Sequence, residues 1–295
     1  MKKPGTFIVK NISQKEIGCQ INYSELSNFF HEKPYRKFSI KYVIEGSENY
    51  TANGVKYKVN AGEYLLASSH TEGCILVKEN QYAKGICIDL SNDVFAEVMA
   101  QGAPMDELNE LITSNFFNST QFLENKFQVT SSKTGAQLIQ LHNQFVLQKD
   151  FEMSVDNGFY FQLIEALISD YIPIYKQLQQ ISSKKIKTRK DLWRKTNEGM
   201  NMLNELYLQE ISVRQIARAI GLSEYYFFRL FKSIYQISPY QFVLNKRLKY
   251  ATSLLIESDL NISEIADQSA LGDIFSFSKI FKKAYGISPS QLSRK

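Results

Sequence analysis

Arg229 and Lys279 hold equivalent places in two copies of one repeated segment, each on the side of a helix that the apolar residues leave outward. A guanidinium or ammonium so placed can neutralise a phosphate or donate to the acceptors on a guanine edge. On the same side of the first copy stand Ser223, Glu224, Tyr225, Phe228 and Lys232; the second offers Ile274, Phe275, Ser276, Ser278 and Lys282. These are the candidate contacts to a polyanion. Side chains that could make or break bonds are sparse. His31, His70 and His142 lie far apart with no HxH pair, and Cys19, Cys74 and Cys87 form no CxxC pair. Neither a metal set, a disulfide framework nor an activated thiol is expected, and no cofactor is implied. The three cysteines are read as buried, reduced thiols.

The elements that position the cations are legible in the repeat. Residues 213–241 read VRQIARAIGLSEYYFFRLFKSIYQISPYQ and residues 262–291 read ISEIADQSALGDIFSFSKIFKKAYGISPSQ, aligned with one extra residue in the turn of the second copy. Ile216-Ala217 then falls on Ile265-Ala266, and Phe227, Phe231, Lys232 and Tyr235 fall on Phe277, Phe281, Lys282 and Tyr285. Ser212 with Gln215 and Asn261 with Glu264 predict capping boxes, as do Ser238 with Gln241 and Ser288 with Gln291, the latter two with proline first in the helix. In the first copy Gly221 supplies a left-handed turn and Ser223 caps the next helix. Phe227, Leu230, Phe231 and Ile234 face inward at helical spacing; in the second copy Phe277, Ile280, Phe281 and Ala284 are expected to do so. Each copy is a helix-turn-helix. The two reading helices are placed at 223–235 and 273–285, and residues 238–258 form the amphipathic helix between the units.

With IA…GLS…FRLFK…ISP in the first unit and IA…AL…FSKIFKKAYGISP in the second, this segment resembles the DNA-binding domain of the AraC/XylS family. Ala270 departs from that pattern, where the second unit usually has glycine, and Ile274-Phe275 stands where polar side chains are common. The resemblance implies a transcription regulator, an activator, that contacts promoter DNA through the residues named above. It also implies a small-molecule effector, a homodimer and RNA polymerase as partners.

Residues 37–90 read as short strands: FSIKYVI, ENYTA, an Asn53-Gly54 turn, VKYKV, a turn at Asn60-Ala61-Gly62, EYLLAS, GCILVK and KGICIDL. Asn-Gly between alternating strands is a strong hairpin signal, and strands at this spacing point to an all-β barrel or sandwich. This part is similar, more loosely, to the cupin-like sensor barrels that precede AraC-type domains. Without clustered metal ligands it is read as a binding pocket, with Tyr42, Tyr50, Tyr57 and Tyr64 as candidate effector contacts. Beyond it, residues 159–180 form a helix with an apolar face, which Pro173 should bend or interrupt. An exposed face of that length is a reason to expect a dimer interface.

The expected fold is therefore α+β and multidomain: a cupin-like barrel with helical connector over residues 1–181, a basic linker and the start of the first helix over 182–195, and an all-α double helix-turn-helix domain over 196–295. Charge divides the same way. Residues 1–181 carry 16 Lys+Arg against 20 Asp+Glu, and residues 182–295 carry 19 against 10. A net of −4 beside a net of +9 points to a polyanion partner for the second part alone. No apolar run reaches the length of a membrane span, and MKKPGTFIVKNISQKE has no signal-peptide core, so a cytoplasmic protein is expected. The alternative from another class is a cupin-type oxygenase or a DNA-repair enzyme fused to the same DNA-binding module; the absent metal ligands and activated cysteine favour a regulator that is not an enzyme.

Overall fold

The computed structural model describes residues 8–12, 18–101, 117, 119–147, 155–210 and 212–292. Residues 1–7 and 13–17 of the stretch MKKPGTFIVKNISQKE and its continuation, and residues 293–295, lie outside the described residues. The chain divides into two compact units, Met1–Tyr175 and Lys176–Lys295.

The first unit is built on an antiparallel sheet of β1 (Ile8–Ile12), β2 (Gln20–Glu32), β3 (Phe38–Ala52), β4 (Val55–Asn60), β5 (Glu63–Ala67), β6 (Gly73–Leu90) and β7 (Asn125–Gln128). Across the sheet the order is β1-β2-β6-β3-β5-β7, with β4 paired to β3. The Asn53-Gly54 hairpin forms as read: both residues have positive φ, 49° and 80°, and Ala52 pairs with Val55. The expected strand breaks do not all occur. FSIKYVI and ENYTA are one strand, β3, and GCILVK and KGICIDL are one strand, β6. Between FSIKYVI and ENYTA there is a bulge: register slips between Val43 and Glu45 and between Gly46 and Asn49. At Gly46 φ is +74°, and a Cβ would meet the Tyr82 carbonyl oxygen, so the strand bends there instead of ending. Strands β1, β2 and β7 lie outside the strands read from sequence.

The central strands separate two surfaces. Ile21, Ile88 and Ile40 stand in register on β2, β6 and β3 and are fully buried. The alternate positions carry Gln20, Asp89 and Ser39 in one row and Asn22, Cys87 and Lys41 in the next. Around the sheet are α1 (Asn92–Gln101), α2 (Lys133–Leu147) and α3 (Asn157–Gln179). Helix α3 runs unbroken through Pro173, which removes only the one N–H that would have bonded to the Ser169 carbonyl. Its apolar face is covered within the chain: Tyr160, Leu163, Ile164, Leu167 and Tyr171 are buried, Tyr171 stacks on Phe122 at 4.9 Å, and its hydroxyl donates to the Leu123 carbonyl. Dimerisation therefore no longer follows from an exposed face.

The second unit is helical: α4 (Ile186–Leu206), α5 (Val213–Ala219), α6 (Glu224–Tyr235), α7 (Pro239–Glu257), α8 (Ile262–Gln268), α9 (Ile274–Tyr285) and α10 (Pro289–Leu292). It has two small cores, one around Ile216, Phe227 and Phe231, the other around Ile265, Phe277 and Phe281. Gly199 of α4 is there for close packing: a Cβ would lie 2.7 Å from Phe227 Cε2 and 3.1 Å from Ile220 Cδ1. Gly199→Ala should therefore destabilise the unit by about 1–2 kcal/mol, overpacking outweighing the gain in helix propensity. A thermal melt checks this, and a higher Tm would show that the ring can move aside.

Candidate nucleic-acid interface

Both copies make the same turn. In the first, Gly221 N–H donates to Arg218 O at 3.0 Å and Leu222 N–H to Ala217 O at 2.8 Å; in the second, Ala270 N–H donates to Asp267 O at 2.9 Å and Leu271 N–H to Ala266 O at 3.1 Å. This is a Schellman ending, which needs a left-handed residue after the helix. Gly221 takes it at φ +70°, and Ala270 takes it at φ +54° in spite of its Cβ, at a cost of about 1 kcal/mol. The departure at Ala270 thus leaves the turn geometry unchanged. The extra residue, Gly272, follows at φ +88° and delivers the chain to Asp273.

Ser223 Oγ accepts from Tyr226 N–H and Asp273 Oδ1 accepts from Ser276 N–H, so each reading helix has its cap. The hydrogen bonds from Ser276 hold the Asp273 carboxyl below the usual carboxylate range. The boxes at Ser238-Gln241 and Asn261-Glu264 are complete. Two others are not. Ser212 offers no side-chain cap, because its carbonyl already takes the Gln215 N–H at 2.9 Å. At Ser288 the Gln291 side chain accepts from the Ser288 N–H, while the Gln291 N–H goes to the Ser288 carbonyl.

On α6, Phe227, Leu230, Phe231 and Ile234 are buried as read, and Glu224, Tyr225, Arg229 and Lys232 are exposed. Phe228 is only half-exposed. The Arg229 guanidinium lies over the Tyr225 ring, 5.7 Å from its centroid, and Tyr240 Oη donates to Glu224 at 3.4 Å. On α9, Phe277 and Phe281 are fully buried, Ile280 is half-buried, and Ala284 is exposed, contrary to the inward place expected of it. A methyl in the last turn contributes too little apolar area to fix that face. Ile274, Phe275, Ser276, Lys279 and Lys282 are exposed and Ser278 is half-exposed.

One residue has a structural role to which the sequence gives only a slight clue. Arg247, in the middle of α7, donates through Nε to Tyr207 O at 2.6 Å, through Nη2 to Gln209 O at 2.8 Å and through Nη1 to Ala270 O at 2.8 Å. Two of these carbonyls lie between α4 and α5 in the first helix-turn-helix unit, the third in the turn of the second. A lone arginine on the apolar stripe of a spacer helix was the available signal. Residues 177–180 belong to this unit and bond within it: Trp193 Nε1 donates to Gln177, Arg189 to Gln179, and Ser233 Oγ of α6 to the Gln180 carbonyl.

The first unit holds a cavity of about 380 Å³ beside the polar rows of β2, β3 and β6. Tyr42 and Tyr50 line it; Tyr57 and Tyr64 do not, since their hydroxyls are engaged elsewhere, with Glu124 O and Ser132 Oγ, both at 2.8 Å. Lys41, Glu48, Cys87 and Asp89 also line it and were not among the effector candidates. Lys41 Nζ is 2.8 Å from Cys87 Sγ and 3.7 Å from Asp89 Oδ1, and Tyr50 Oη donates to Glu48 at 2.6 Å. Burial pushes the Cys87 thiol up to about 11 and raises the Glu48 carboxyl. Such a lining suits a polar ligand. Among the described residues no group of three or more His, Cys, Asp or Glu could hold a metal ion, and no helix is long and apolar enough to cross a membrane.

Two helix-turn-helix units on one spacer helix define a DNA-binding domain. A sequence model described as a helix-turn-helix domain matches residues 216–295. The chain is 34% identical over 91 residues to the probable transcriptional regulator LumQ of Photobacterium leiognathi, covering 31% of this chain and 37% of LumQ. It is 28% identical over 137 residues to the Msm operon regulatory protein of Streptococcus mutans, covering 46% of each. The chain thus spans less than half the length of these curated relatives. Among solved structures it is similar to the C-terminal domain of the two-component response regulator yesN from Fusobacterium nucleatum, with 29% identity, 34% of this chain and 97% of that one covered, and a TM-score of 0.32.

Proposed function

We propose that the chain is a sequence-specific transcription regulator that reads operator DNA with α6 and α9 and responds to a small molecule held in a cupin-like N-terminal barrel. The observation that carries this reading is the duplicated unit, in which capped helices present Arg229 and Lys279 at equivalent exposed positions. The net +9 of residues 182–295 supports it. Within this reading Lys41, Tyr42, Glu48 and Tyr50 contact the effector, and the barrel is a binding module with no catalysis of its own. A metal assay tests that last point: stoichiometric iron or zinc would restore the oxygenase alternative. Of the remaining assignments, the cytoplasmic location rests on the sequence pattern, and a homodimer that contacts RNA polymerase rests on the resemblance. Sedimentation of the full chain at tens of micromolar decides the dimer, and a clean monomer removes it.

The test of DNA reading is a fragment spanning residues 176–295. It starts at Lys176 rather than Ser182 because Gln177, Gln179 and Gln180 bond into the helical unit. Shown to be folded by its circular dichroism, it is expected to bind duplex DNA, with affinity falling on the order of a hundredfold or more between about 50 and 200 mM salt. A folded fragment that binds no duplex above background overturns the reading.

A further inference from the structure

Tyr225 and Phe275 occupy the same place in the two units, each two residues before the first buried phenylalanine of its reading helix. They are the most exposed large apolar side chains among the described residues, at 70% and 83%. In the first unit the aromatic ring is partnered by the Arg229 guanidinium. The second unit begins differently. Ile274, 38% exposed, stands beside Phe275, and neither side chain has a hydrogen-bonding atom. Asp273, at the start of the helix, already accepts the Ser276 N–H, and its carboxylate repels a phosphate where the neutral Ser223 of the first unit does not. Apart from the exposed Ser276, the first turn of α9 therefore offers little to the DNA backbone or to polar base edges. The major groove has one apolar feature, the 5-methyl group of thymine.

We propose that Phe275, flanked by Ile274, is the specificity residue of the second unit and selects thymine by packing on its 5-methyl group in the major groove. This rests on the DNA-binding reading above. The two units then read by different chemistry, the first through hydrogen bonds from Arg229 and the second through apolar contact, with Lys279 and Lys282 supplying charge. Phe275 is exposed, so its replacement leaves both cores intact.

The test uses the full chain and the duplex it selects from a random pool. Every thymine of that duplex is replaced in turn by deoxyuridine, which removes only the methyl group. Wild-type protein is expected to lose about three- to tenfold in affinity at one or two positions, the value of one buried methyl. At those positions Phe275→Ala should bind thymine and uracil duplexes equally, and Phe275→Leu should keep the preference. Insensitivity of the wild type to every replacement, or undiminished sensitivity of Phe275→Ala at every position, overturns the proposal while DNA binding stands. If the pool yields no enriched sequence, the DNA-reading function itself fails.

Discussion

Arg247→Ala is expected to cost about 2–4 kcal/mol of stability and to loosen the coupling between the two reading helices. The guanidinium donates to three backbone carbonyls at 2.6–2.8 Å, each a charge-assisted bond, those to Tyr207 and Ala270 partly buried and that to Gln209 exposed. Alanine leaves Tyr207, Gln209 and Ala270 without that donor. Ala270 is also the residue held left-handed at φ +54°, so the bond that steadies its carbonyl helps offset the strain of the turn. Lysine should rescue little, because a compact ammonium lacks the planar fork that reaches three acceptors at once. The cores remain in the variant, so a second readout separates coupling from simple loss of stability. Wild-type protein should bind poorly to a site whose two boxes are moved apart by half a helical turn, and Arg247→Ala should tolerate that insertion better. Denaturation within about 0.5 kcal/mol of wild type would show that water replaces the guanidinium without cost.

The second unit of the chain was legible because its sequence repeats, and a repeat checks itself. Phe227 and Phe277, or Ser238-Pro239 and Ser288-Pro289, each predict the other, and the helix bounds at 224–235 and 274–285 follow from caps that chemistry fixes locally. What escaped depends on contacts distant in sequence. Arg247 looks like one more basic residue on a spacer helix until Tyr207 and Ala270 are brought to it from 40 and 23 positions away. The sheet shows the same limit. Glycine and polar residues near Gly46 signal a break, but a bulge satisfies the same residues without ending β3, and only the partner strand tells the two apart. Residue type alone makes Tyr57 and Tyr64 pocket candidates; their hydroxyls are bonded outside the cavity. Glu48 and Lys41 carry no such signal, because a buried charge in a strand is recognisable only from its neighbours.

Arg229→Ala is expected to lose about 1–3 kcal/mol on the selected operator and little on random duplex, because Arg229 is the best-placed donor of the first reading helix. It lies within two turns of the Ser223 cap, the end of such a helix that approaches base edges. The Tyr225 ring beside it, 5.7 Å from the guanidinium carbon, restricts its rotamers before DNA arrives. A restricted fork loses less entropy on forming the bidentate pair with guanine O6 and N7. Tyr225→Ala should accordingly weaken operator binding in part through Arg229, so the double variant should lose less than the sum of the two single ones. A uniform loss on operator and random DNA, with a smaller salt slope, would assign Arg229 to the phosphate backbone instead. Lys279→Ala provides the contrast: its neighbours Ile274 and Phe275 offer no hydrogen bonds, so its removal should reduce affinity evenly across sequences. If Lys279→Ala abolished selectivity while Arg229→Ala left it intact, the division of labour between the two units would be the reverse of the one drawn here.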